Sequence, residues 1–376
     1  MKIEVKGVQF ENKGAALMLH AIHERLTSEF DGKFDLVLSP RNSPYKKRVK
    51  FGAMQKIGSL RYGIDWSYFT KFIPGEIKLA YGLCDHEDID ITLDASGFAY
   101  GDQWTLRMLK HSVRQAELMK KKGRKYILMP QALGPFTSAK SKELITRLVI
   151  ASELVFIRDP ISFKYIEDIV GDVENIRMYP DFTNLLKVTG IPSDLGSDVF
   201  LGKVLTVIPN SKMIVKGGGA SGYLELLEKM INDFQVNDYK IIILNHEGVA
   251  DRKLCLELIG ILNDPKILFL DRLDEIDIKK VISNSKVLLS SRFHGCVSGL
   301  SQGVVTLGTS WSHKYEALFK NYGVEDLIVK EYKSDLVDMV LKDIDNIESE
   351  IDRNVVVQKR AAEDMWQHIY SLLRDF

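Results

Sequence analysis

Short runs of aliphatic and β-branched residues alternate with longer stretches of helical periodicity along most of this 376-residue chain. Runs at 3–5, 34–38, 89–93, 126–129, 154–157, 204–208, 239–244, 267–269, 287–289 and 304–307 read as strands. Apolar positions recur every three to four residues over 15–29, 106–122, 138–152, 162–169, 222–234, 250–262 and 276–283, which predicts helices between them. Strand followed by helix, repeated, argues for parallel sheets wrapped by helices. The turn-rich stretch 189–197 interrupts the alternation near its middle and reads as a linker. The expected architecture is therefore α/β, with Rossmann-like domains at 1–188 and 198–345. A long helical pattern from 344 to 373 predicts a C-terminal helix (346–376 beyond the second domain) that crosses back onto the N-terminal domain. Each sheet would present its ligand edge at the carboxyl ends of its strands, and the two edges facing one another would make a central cleft.

Composition narrows the class without identifying it. A chain of this length exceeds one ordinary core, consistent with two domains. Lys+Arg and Asp+Glu both number 51, so no global charge favours nucleic acid. Cys84, Cys255 and Cys296 are isolated and suggest neither a disulfide framework nor a zinc site. The first residues read as a strand rather than a signal peptide, and no uncharged apolar run approaches a membrane span. A cytoplasmic protein is expected. The neutral total hides one local bias: residues 41–80 carry nine cations against Asp65 and Glu76, interleaved with seven aromatics. A solvated face over core aromatics explains that pattern; peripheral docking on the inner, anionic face of a plasma membrane or on a lipid-diphosphate-linked glycan is the alternative.

Candidate chemistry concentrates after the apolar run at 287–289, where Ser290-Ser-Arg-Phe-His-Gly leads into a helical pattern. Arg292 and His294 then lie on a strand-to-helix turn, the usual ligand position of an open α/β sheet. A cation and an imidazole suit an anionic substrate that needs a proton moved. In an extended link, residues two apart point to the same side. Phe293 between them reads as a core anchor, and Cys296 as a small buried residue rather than a nucleophile.

Five blocks in order carry a resemblance. They are Asn12-Lys-Gly-Ala-Ala16, Gln131-Ala-Leu-Gly-Pro-Phe136, Arg158-Asp-Pro-Ile-Ser162, Tyr179-Pro-Asp181, and Ser291-Arg-Phe-His-Gly295 with Gly303-Val-Val305 and Ser312-His-Lys-Tyr315. Together these resemble the Asn-x-Gly loop, Gln-x-x-Gly-Pro block, Arg-Asp-x-x-Ser motif, Pro-Asp block and Arg-x-His-Gly segment of the polysaccharide pyruvyl transferase family. The resemblance implies a GT-B-like fold and transfer of an enolpyruvyl unit from phosphoenolpyruvate to a sugar of a cell-surface polysaccharide, such as a capsule or exopolysaccharide, or to its lipid-linked precursor. The product is a pyruvate ketal, with phosphate released. No metal or organic cofactor is implied. Arg158, Arg292 and Lys314 would hold the donor's phosphate and carboxylate, since guanidinium forks match both anions. His294 would be the acid/base, with His313 as its rival.

Other residues stay open at this stage. Asn12 and Gly14 open a helix whose amides suit an anion, although Asn12 also fits a plain helix cap. Asp94 begins a stretch with fewer glycines than the family usually shows, and either binds a sugar hydroxyl or caps a loop. Gln131 either contacts the acceptor or holds a turn. Asp85-His-Glu-Asp88 is better read as a solvated loop than as metal ligands, and residues 217–222 as a mobile loop rather than a nucleotide cradle. Rival functions are a GT-B glycosyltransferase using a nucleotide sugar and a non-catalytic glycan-binding member of the family.

Overall fold

A computed structural model of the protein describes residues 1–41, 43–58, 60–61, 64–65, 67–216, 220–309 and 313–374. The chain forms two compact units, one of residues 1–10, 18–181 and 365–376, the other of 11–17 and 182–364.

The first unit is built on an eight-stranded sheet. Its order is Ile176–Met178, Leu154–Ile157, Lys125–Gln131, Ile91–Asp94, Lys2–Lys6, Asp35–Leu38, Met54–Ile57 and Leu83–Asp85. Every pairing is parallel. The strands Lys125–Gln131 and Leu154–Ile157 hold runs of consecutive apolar residues buried on both faces, and that continuity is what made them readable. The edge strand Ile176–Met178 and the strand next to the other edge, Met54–Ile57, are at most partly buried, carry Arg177, Gln55 and Lys56, and escaped the sequence reading. The helices Leu106–Lys121 and Ala139–Ala151 bury Leu109, Val113, Leu144 and Leu148 in this core, the second helix capped by Ser138. From Lys2–Lys6 the chain first builds the sheet in one direction, then returns to extend it in the other. The switch point therefore lies at the carboxyl ends of Lys2–Lys6 and Ile91–Asp94.

The second unit repeats this logic with six parallel strands. Their order is Leu268–Leu270, Lys240–Leu244, Val204–Ile208, Val287–Ser290, Val305–Thr309 and Ile328–Val329. Here the order reverses beside Val204–Ile208, next to the strand that runs into Arg292 and His294.

The chain passes between units at Asp181 and Phe182, while the expected linker at 189–197 lies wholly within the second unit. The 3-10 turn Phe182–Leu185 accounts for this: all four residues are buried, and the carbonyl of Thr183 accepts from the fully buried Lys279 at 3.2 Å. The C-terminal helix Ile344–Leu373 is one continuous element, yet its residues to Asp364 belong to the second unit and those from Met365 to the first. In the first unit it buries Trp366, and Tyr370 accepts from Arg25 at 3.1 Å.

Candidate active site

In the second unit, Val287–Ser290 ends in a turn fixed from several sides. The Ser290 hydroxyl accepts from the Arg292 amide at 3.2 Å. The Ser291 carbonyl accepts from Asn210 at 2.8 Å and from the Tyr315 hydroxyl at 2.9 Å. Thr309 donates to the Ser291 hydroxyl at 2.5 Å. The helix Phe293–Leu300 starts immediately, seated so closely that a Cβ on Gly295 would fall 2.4 Å from the Ser290 hydroxyl.

That early start corrects the expectation of an extended link between Arg292 and His294. Arg292 is the helix N-cap and His294 is already helical, so the two side chains diverge. Arg292 turns to carboxylates: its Nε donates to Asp251 Oδ2 at 2.8 Å, a second bond reaches the same oxygen, and a third reaches Glu247. Three of its five N–H donors are thus engaged, which orients the fork and offsets its charge. The His294 ring instead lies against the backbone of Gly14; a Cβ there would sit 2.0 Å from Nδ1 and 2.4 Å from Cγ. Glycine at position 14 is what leaves room for the imidazole.

Asn12 caps the helix Lys13–Phe30, accepting the Ala15 amide at 3.1 Å, so the capping role is realised. Lys13 pairs with Glu275 at 3.4 Å. Lys314 lies over the Phe293 ring, 4.8 Å from its centroid, and Tyr315 packs edge-on against the same ring at 5.5 Å. Phe293 is a core residue, as expected, and its outer face serves as a platform for the Lys314 ammonium. Gly14, Arg292, His294 and Lys314 all belong to this one unit. His313 opens the helix His313–Asn321; its side chain, Ser312 and residues 217–219 of the glycine run lie outside the described residues.

The first unit gathers a separate set on adjacent strand ends. Arg158 is buried, donating to Asp181 at 2.8 Å and to the Gly97 carbonyl at 3.3 Å. Two of the sequence blocks therefore meet as an ion pair. The following Asp159 caps the helix Pro160–Val170 through Ser162, giving the Arg-Asp-x-x-Ser spacing a structural purpose. The Gln131 side chain is wholly buried and donates to the Asp94 carbonyl at 3.3 Å, bridging neighbouring strands.

Asp94 is fully buried at the centre of a polar cluster. One carboxylate oxygen takes the Ser96 amide at 3.2 Å and the Ser96 hydroxyl; the other takes the Tyr100 hydroxyl at 2.6 Å, the Tyr126 hydroxyl, and Lys6 at 3.5 Å. Burial pushes its pKa up, but Lys6 and these hydroxyl donors outweigh it and hold the carboxyl below its usual range. Its two oxygens are therefore committed to the fold's own donors.

Elsewhere the charges resolve into ion pairs. In the acidic run, Asp85 meets Lys78, Glu87 meets Lys71 and Lys122 at 3.4 Å each, and Asp88 meets Lys2 at 3.6 Å. Among the described residues no group of three potential ligands could hold a metal. Within the basic stretch, Tyr45 and Phe72 are 71% and 73% exposed, with Lys46 and Lys50 exposed and Lys47 half-buried. Arg48 is not part of that surface: it is buried and donates to the Ser43 carbonyl and Gln55. Lys56 and Lys78 are likewise drawn into ion pairs, Lys56 with Glu4 at 2.5 Å.

The sequence reading missed the partners. Glu247 and Asp251 stand one helical turn apart after the strand Lys240–Leu244, but a lone acidic pair there resembles any helix start. His246, buried beside them, offered only the signal of a polar residue directly after an apolar strand.

The sequence from residue 12 to residue 313 matches the model of a family described as polysaccharide pyruvyl transferase. No curated protein matches the chain. Among solved structures, the chain resembles a UDP-GlcNAc 2-epimerase from Neisseria meningitidis bound to UDP-GlcNAc, with 10% identity, TM-score 0.62, and 99% and 100% of the two chains covered. It also resembles Anabaena Alr3699/HepE in complex with UDP and glucose, with 11% identity, TM-score 0.60 and both chains wholly covered. The S. aureus MnaA–UDP co-structure is similar too, with 12% identity, TM-score 0.61, and coverage of 99% and 96%. At such identities the likeness speaks to the fold alone, and that fold is the GT-B-like pair of parallel α/β sheets.

Proposed function

The chain belongs to the polysaccharide pyruvyl transferase family, and from that premise we propose that it moves the enolpyruvyl group of phosphoenolpyruvate to a glycan sugar, closing a cyclic pyruvate ketal. In this reading a proton is added to the donor's methylene carbon, leaving an oxocarbenium-like centre at the adjacent carbon. One sugar hydroxyl adds there, the carbon–oxygen bond to phosphate breaks, and a second hydroxyl completes the ketal. Two hydroxyl protons leave the sugar; one balances the new methyl hydrogen and the other departs with phosphate.

The observation that supports this reading is the grouping of Arg292, His294 and Lys314 around one strand-to-helix turn, beside the reversal in strand order. Arg292 and Lys314 serve as anchors for the donor's two anions. His294, held against Gly14, delivers and accepts the protons. Arg158, in the first unit, is assigned to an anionic group of a substrate there, and Gln131 to hydroxyl recognition.

Calorimetry with phosphoenolpyruvate tests the assignment. Binding should survive His294→Ala and fall at least tenfold in Arg292→Ala. A second reading, transfer from a nucleotide sugar, draws on the UDP and UDP-sugar complexes of the similar folds. Binding of a UDP-sugar with none of phosphoenolpyruvate would favour it. For a lipid-linked acceptor the meeting is peripheral, at the cytoplasmic face, through residues 41–80; no helix among the described residues is long and apolar enough to cross a membrane. Reversing Lys46, Lys47 and Lys50 to Glu should then lower binding to anionic liposomes, and unchanged binding would reject the contact.

A further inference from the structure

His246 stands at the carboxyl end of the strand Lys240–Leu244, in the same unit as Arg292 and His294, and has no role in the reaction described so far. Its side chain is 3% exposed, and neither Nδ1 nor Nε2 has a hydrogen-bond partner among the described residues. Such an imidazole is costly to keep unless something else satisfies it.

Its surroundings indicate what that is. The next residue, Glu247, and Asp251 on the following helix both bind the Arg292 guanidinium, so the loop bearing His246 is pinned to that side chain. Burial first, then the charges of Arg292, His294 and Lys13, push the His246 pKa well below the ordinary histidine value. Glu275 faces Lys13 at 3.4 Å. Without ligand the ring is therefore neutral, with one N–H and one bare nitrogen. A phosphate placed at Arg292 would reverse the balance: its charge favours the imidazolium, and its oxygens accept from an imidazole N–H.

We propose that His246 is a further donor-site residue, which gives an N–H to a phosphate-bearing ligand at Arg292 and takes up a proton as that ligand binds. That the ligand is phosphoenolpyruvate rests on the function proposed above; the phosphate chemistry would be shared by a nucleoside diphosphate. The sign of the linkage follows. Free His246 is neutral near pH 7 and the bound state is protonated, so affinity falls as pH rises through the pKa of the complex, by up to about tenfold per pH unit.

The test is calorimetry of the whole protein with phosphoenolpyruvate, and separately with UDP, in buffers of differing ionisation enthalpy. These titrations count protons taken up on binding. Wild type should take up more protons than His246→Gln, by up to one, and its affinity should be the steeper in pH. Because a Gln variant can perturb folding, ring-labelled histidine NMR of wild type supplies a second readout: the His246 resonances should move from neutral to protonated values on saturation. Uptake with phosphoenolpyruvate supports both proposals. Uptake with UDP alone supports the role of His246 and overturns the pyruvyl donor. Binding of phosphoenolpyruvate with equal proton counts in wild type and variant, and unmoved ring resonances, overturns the role of His246 and leaves the donor standing. No binding of either ligand overturns both.

Discussion

Gly14→Ala isolates the contribution of one contact to the proposed chemistry. The added methyl would lie 2.0 Å from His294 Nδ1, where ordinary contact begins at 3.4 Å; the shortfall of 3.4 Å less 2.0 Å requires a retreat of about 1.4 Å. Gly14 does not have the positive φ that penalises a side chain, so the backbone tolerates alanine. It sits within the helix Lys13–Phe30, where alanine is favoured over glycine by about 1 kcal/mol. Overpacking costs about 1–3 kcal/mol, so net stability should change by about 2 kcal/mol or less. The ring is the movable partner, and misplacing a catalytic group by about 1 Å costs roughly 100-fold in rate, or about 2.7 kcal/mol. Phosphate release from phosphoenolpyruvate in the presence of a glycan acceptor reads kcat, and calorimetry reads donor affinity. The expected pattern is a kcat lowered roughly 100-fold with donor affinity kept within about threefold, because Arg292 is held by its own carboxylates. A folded variant with kcat within twofold of wild type would refute the positioning of His294 by Gly14.

Three further outcomes follow from buried polar groups. Arg158→Ala removes the guanidinium buried against the Asp181 carboxylate and should cost about 3–5 kcal/mol in urea unfolding, with the Arg158→Ala, Asp181→Ala double variant losing less than the two single losses added; a single-variant cost under 1 kcal/mol would reject the pair's role. Asp94 has its pKa lowered in the folded protein, so its contribution is present above the unfolded pKa near 3.9 and lost as pH falls through the folded value; unfolding from pH 7 to pH 3 should show a smaller acid-induced loss for Asp94→Asn than for wild type, and parallel profiles would contradict this. Cys84, Cys255 and Cys296 are buried, with burial pushing each thiol up to about 12, so native alkylation should be slow and should accelerate together with denaturant-induced unfolding.

Core strands announce themselves because both faces are covered: the expected 154–157 and 204–208 coincide with strands Leu154–Ile157 and Val204–Ile208. Edge strands such as Leu83–Asp85 alternate too briefly to be read. The motif residues were likewise legible as residues but not as partners. Arg158 and Asp181 form one ion pair across a gap in sequence that no local pattern spans, and Glu247 and Asp251 hold Arg292 from another strand-to-helix loop. Asp94 looks like a ligand residue by position, yet two of its donors, Lys6 and Tyr126, come from the flanking strands, which only strand order brings together. His246 illustrates the same limit: its burial is a tertiary fact, and its neighbour Glu247 looks like any polar loop residue.

The shared C-terminal helix also orders events in time. The first unit contains residues 1–10 and 18–181, yet also residues 365–376. Its last segment emerges 184 residues after Asp181, counting from 181 to 365. At typical synthesis rates that interval is roughly ten to forty seconds. For that time the groove receiving Trp366 and Tyr370 is made but unfilled, while the second unit is still being synthesised. The unit begun first is finished last, so its apolar surface near Phe30 and Tyr179 is a place for a chaperone to act during translation.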